Sequence, residues 1–152
     1  MMDQEYLDML NDITNDEEYQ KLKCEKHHGI NRFEHSMRVA KRTYIVTKRR
    51  KMNYKEATRA AFLHDYFFSF QTTTDNIKGA YKHPIFALEN SKKRYQLSAK
   101  ESNIIRSHMF PLSKELPRSR EAWIVTRVDK SIALYEFFKF KFKPLQKLRK
   151  SS

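Results

Sequence analysis

Hydrophobic positions recur at helical spacing through most of the chain, interrupted by short polar connections. Residues 3–26 form one acidic, then mixed, helical segment with Tyr6, Leu7, Met9, Leu10 and Ile13 as its apolar positions. "HHGIN" ends it, with Gly29 as the natural helix stop. Asn31 followed by Glu34 is a capping-box signal that opens a helix from about Arg32 to about Lys51. Phe33, Met37, Ala40, Tyr44 and Thr47 mark its apolar face. Asn53 with Glu56 starts a further helix through Ala57, Ala60, Ala61 and His64. "SFQTTTDNIKGAYK" reads as a polar loop and a candidate lid. Pro84 suits the first turn of a helix running to about Tyr95. Ser98 with Glu101 opens another to about Met109, and "FPLSKELP" is a connection. The last helix spans Arg118 to about Phe138, with Trp123, Val125, Val128, Ile132 and Tyr135 on its apolar side. The expected fold is all-α: a single bundle of about six helices over residues 1–138, without a convincing strand. A basic tail over 139–152 follows.

Composition sharpens this picture. The chain has 152 residues, with 39% hydrophobic and 13% aromatic, enough to bury one core. Its 2 glycines and 4 prolines fit helices with short connections. A lone cysteine, Cys24, excludes an intrachain disulfide and a Cys-rich zinc site. The opening "MMDQEYLDML" is acidic and lacks a secretory pattern, and no window approaches a membrane span. We therefore expect a cytoplasmic protein. The net charge of +13 suits an anionic partner, such as a nucleotide, nucleic acid or an acidic membrane surface, and equally suits a lysine-rich solvated surface.

The candidate chemistry begins at "AAFLHDYFF", where a mostly apolar run carries His64 and Asp65 side by side. A buried carboxylate without a partner is costly, so Asp65 needs a counter-charge. Further histidines lie in other helical segments, and the ordered set reads His35, His64-Asp65, His83, His108, Asp129. Each alone is a weak signal; an ordinary hydrogen-bonded histidine is the plain alternative. Together they offer imidazole and carboxylate donors that suit Fe, Mn, Zn, Ni or Co.

"RFEHSMRVAKRTY", "AAFLHDYFF", "KHPIFALENS", "NIIRSHMFPL" and "EAWIVTRVDKSIALYEF" resemble the HD-domain superfamily of metal-dependent phosphohydrolases, and among them the small stand-alone bacterial proteins. The resemblance covers roughly residues 27–137. It implies an HD-type helical bundle and makes His35, His64, Asp65 and Asp129 core metal ligands. His83 and His108 match the extra histidines of the binuclear branches, such as the HD-GYP and cyclic-dinucleotide phosphodiesterase groups, which often use iron or manganese. Asp65 would then be able to bridge two ions. The GYP element and the paired histidines of HD-GYP proteins are missing, which argues against cyclic-di-GMP specificity.

The implied reaction is hydrolysis of a phosphate monoester or diester, of a nucleotide or cyclic nucleotide, by metal-activated hydroxide, with Asp65 and Lys130 as catalytic groups. Arg38, Lys130 and His28 are the expected substrate contacts; Arg42, Arg106 and Lys82 also lie near ligand positions. Phe67, Phe68 and Phe70 either stack a base or belong to the core. Two other readings stand beside the enzyme. One is an HD module that holds nucleotide without cleaving it. The other is a polyanion binder that uses Lys139, Lys141, Lys143, Lys147, Arg149 and Lys150, interleaved with aromatics, on nucleic acid or lipid.

Overall fold

The structure, a computed structural model, describes the backbone of residues 3–27, 29–72 and 77–149 and the side chains of 3–27, 29–72, 79 and 81–141. Its helices are α1 (Gln4–Thr14), α2 (Glu17–Gln20), α3 (Arg32–Arg49), α4 (Tyr54–Leu63), α5 (Ile77–Arg94), α6 (Ala99–Ser107) and α7 (Arg120–Arg149). Short 3₁₀ turns occupy Lys21–Cys24 and Ser69–Gln71. The fold is all-α, as expected.

The expected helix starts form for the expected reason. Asn31 accepts from the Glu34 amide at 2.8 Å and Asn53 from the Glu56 amide at 3.3 Å. Ser98 accepts from the Glu101 amide at 3.0 Å, while the Glu101 carboxylate takes the Ser98 amide at 2.8 Å. Each bond satisfies a backbone donor that the first helical turn leaves without a partner. α3 packs on both α4 and α7, and α6 packs on α4, α5 and α7. Their shared core includes Tyr19, Leu22, Phe62, Leu63, Ile104 and Ile105, all fully buried.

Several expectations need correction. The 3–26 segment is not one helix, because it breaks at Asn15 and restarts at Asp16, whose carboxylate accepts from the Glu18 amide at 2.9 Å. The break is held by tertiary contacts: Arg94 grips Asp16 through two bonds of 2.6 and 2.7 Å, and the Tyr95 hydroxyl adds a third of 2.6 Å. "HHGIN" does more than stop a helix. β1 (Lys26–His27) and β2 (Ile30–Asn31) form a two-residue antiparallel hairpin, with Gly29 at φ +87° supplying the left-handed turn.

α5 begins at Ile77, seven residues before the expected proline start, so Pro84 lies inside a helix. A proline there forfeits one backbone bond, and the buried Ala87 and Ser91 beyond it keep the helix packed. Of the expected lid, residues 73–76 lie outside the described residues and 77–82 are helical. α7 runs on through Arg149, across the stretch expected to be a tail. Its expected apolar side is also wrong at both ends: Trp123 and Tyr135 are exposed, whereas Ala122, Val125, Asp129 and Glu136 face inward. Hydrophobicity located the stripe poorly because two of its inner positions are acids. Among the described residues, no helix is long and apolar enough to cross a membrane.

Candidate metal centre

Four helices and the β1 strand deliver histidines to one place. His35 sits near the start of α3, fully buried, and meets a carboxylate at each ring nitrogen. Its Nδ1 donates to Glu136 Oε2 at 2.7 Å, and its Nε2 lies 3.0 Å from Asp129 Oδ1. Burial opposes charge on this ring, but the bonds to Asp129 and Glu136 outweigh it and push the His35 pKa up to about 10.

His64 and His108 are placed by one local device used twice. Each is the residue immediately after its helix, α4 or α6, and each Nδ1 donates to a carbonyl three residues back. The acceptors are Ala61 and Ile105, both at 2.7 Å. These carbonyls belong to the last helical turn, where backbone acceptors lack intrahelical donors. The bond occupies Nδ1, so each Nε2 is the nitrogen turned away from its helix. His64 Nε2 stands 3.3 Å from Asp129 Oδ1 and 3.7 Å from Asp65 Oδ2. His83, from α5, brings its Nε2 to 2.8 Å from His108 Nε2. Its ring stacks on Phe67 at 4.8 Å, and the Arg32 guanidinium lies over the ring of that phenylalanine at 3.8 Å.

Asp65 lies in the middle and answers the question its neighbours posed. Oδ1 faces His83 at 3.4 Å and His108 at 3.6 Å. Oδ2 faces His64, His27 at 3.9 Å and His35 at 4.0 Å. Burial works against its charge, yet positive charge among its imidazole neighbours, His64 first, holds its carboxyl far below the usual range. Asp129 is likewise depressed: burial opposes ionisation, and His64 and His35 overcome it. The two outer histidines go the other way. Burial, aided by neighbouring imidazoles, lowers the His108 pKa to about 3 and lowers that of His83. Both are thus neutral, the state in which imidazole ligates.

Donor atoms of His35, His64 and Asp129 all lie within 4.8 Å of one another. The same holds for His64, Asp65 and His108, and for His27, His35 and Glu136. The six residues expected to meet are thus brought together. The expected substrate contacts are placed differently. Lys130 Nζ donates to the carbonyls of His108 at 3.1 Å and Phe110 at 2.8 Å, bracing the turn after α6. Arg38 Nη1 donates to Glu136 Oε1 at 3.2 Å. Arg42 and Lys82 are exposed, Arg106 is half-buried, and His28 lies outside the described residues. Phe67 is buried against His83, whereas Phe70 is open to solvent.

Two residues at the site escaped the sequence reading. Glu136 was findable, because it lies two turns beyond Asp129 on the same face of α7. His27 was not, since nothing in "HHG" marks it out; the hairpin pairs it with Ile30 and its ring comes within reach of Asp65.

The chain has no match among curated proteins or solved structures. A family model described as HD domain matches residues 32–134, which takes in His35, His64, Asp65, His83, His108 and Asp129 but neither His27 nor Glu136. With that span covering more than half of its length, the chain belongs to the HD-domain family.

Proposed function

We propose that the protein is a metal-dependent phosphohydrolase acting on a phosphate monoester or diester, of a nucleotide or cyclic nucleotide. The observation that carries this is Asp65, whose two oxygens face two different groups of imidazole nitrogens. The donors fit a divalent ion. His64 Nε2 is buried and makes no hydrogen bond, and two Nε2 atoms 2.8 Å apart share one carboxylate oxygen as neighbour. Nitrogen and oxygen donors without thiolate favour iron or manganese, with zinc, nickel or cobalt also compatible. His35, His64, Asp65 and Asp129 would hold one ion, and His83 and His108 would contribute to a second. Such ions supply an acidified water, with a pKa lowered from about 15.7 to about 7, and neutralise phosphate charge.

The chain's own groups orient that chemistry. Glu136 fixes the His35 ring, Arg38 holds Glu136, and Lys130 braces the turn that follows His108. Asp65 is the ionised group between the histidines, so its loss removes the element common to both halves of the site. In the test, metal content is measured by mass spectrometry, and an aryl phosphate and an aryl phosphodiester are assayed with added manganese. Asp65→Ala should abolish both metal uptake and turnover. A wild-type protein that binds no metal, or a variant that turns over normally, overturns the reading. One observation favours an alternative, a nucleotide-binding module without turnover: Arg38 and Lys130 are both engaged within the protein. That alternative predicts nucleotide bound at the metal-loaded site and recovered intact.

A further inference from the structure

Past the site, α7 presents an unusual surface. Leu134, Tyr135, Phe137 and Phe138 are exposed at 57%, 59%, 45% and 46%. Lys139 and Lys141 stand over the Tyr135 and Phe137 rings at 5.7 and 5.5 Å, so cations and apolar groups share one patch. Glu136 is the last acidic residue of the sequence and is fully buried, while Lys139, Lys141, Lys143, Lys147, Arg149 and Lys150 follow it. The helix continues through this basic stretch to Arg149.

We propose that this end of α7 is a docking surface for an anionic phospholipid bilayer. A helix that pairs aromatic and leucine side chains with lysines gains twice at such an interface: apolar area leaves water, and each cation meets acidic headgroups. A second copy of the chain is a poor occupant, because a self-complementary contact would bring like charges together. Nucleic acid phosphates would neutralise the lysines but leave Leu134 in water. Docking is also connected to the catalytic end of the molecule. Phe140, in the same stretch, packs so closely on Gly29 that a Cβ there would lie 2.5 Å from its Cγ. Gly29 turns the hairpin that carries His27 toward Asp65.

The test is co-sedimentation of the full chain with vesicles of phosphatidylcholine alone or of phosphatidylcholine with phosphatidylserine. Binding to the phosphatidylserine vesicles only, weakened by salt, is expected. Lys139→Gln with Lys141→Gln should weaken it by about twenty-fivefold, at about fivefold per lysine. Leu134→Ser with Phe138→Ser should weaken it as well, and circular dichroism would verify that both double variants fold. Equal binding to the two vesicle types overturns the proposal. So does an unchanged affinity in the serine variant, or single-stranded RNA competing fully with vesicles, which would mark a nucleic-acid surface. A dimer in sedimentation velocity that the serine variant dissociates would mark a self-interface and equally overturn it. None of these readouts depends on metal or turnover.

Discussion

Carboxylates govern the centre residue by residue. Glu136 acts through His35: its bond to Nδ1 orients the ring and enriches the other nitrogen. Removing such an outer partner typically costs 10–100-fold in metal affinity, so Glu136→Ala should weaken manganese binding by about that factor. Glu136→Gln, which keeps an acceptor oxygen, should recover most of the loss in a metal titration. The pH dependence follows from the same contacts. His35 is raised from 6.5 to about 10, so the stabilisation from its carboxylate pairs is fully present below about 6.5 and is lost as pH climbs through about 10. Its Nε2 proton competes with a metal, so manganese affinity should rise with pH, with proton release measurable by calorimetry in buffers of different ionisation enthalpy. Asp65 and Asp129 have the opposite sign: being depressed, they contribute above the ordinary carboxylate pKa and lose that contribution in strong acid.

Elements matter through their ends. α4 and α6 each stop so that the next residue is a histidine bonded to the final turn. The β1–β2 hairpin depends on one glycine at positive φ. Gly29→Ala places a Cβ both at positive φ and against Phe140. The backbone part should cost about 1 kcal/mol and the collision more. In chemical denaturation, adding Phe140→Ala should restore the collision part only, which then appears as the non-additive quantity of the cycle, while the backbone part remains. The Ser98 cap offers a simpler comparison: Ser98→Ala should cost about 1 kcal/mol by the same measurement, with no change in metal binding.

For the whole molecule, the centre is a cross-link. It joins α3, the end of α4, α5, the end of α6 and α7, from His35 to Asp129. A ligand that binds only the folded state stabilises it by mass action, about 2.7 kcal/mol at a hundredfold excess over its dissociation constant. Manganese should therefore raise the unfolding midpoint in calorimetry, a chelator should reverse this, and Asp65→Ala should be indifferent to both.

By itself the sequence determined the helical class, the starts of α3, α4 and α6, and the histidines and aspartates that converge. These were legible because they depend on local chemistry: a capping side chain three residues from its partner, a 3.6-residue period, and donor types too costly to bury singly. Tertiary structure reinforced the break at Asn15, where Arg94 and Tyr95, from far along the chain, bond the Asp16 carboxylate that also caps α2. It also turned Trp123 and Tyr135 outward, gave Lys130 to backbone carbonyls, and brought His27 to Asp65. Each of these depends on which residues meet across elements. Periodicity along one helix places a side chain on a face, but only packing determines what that face meets.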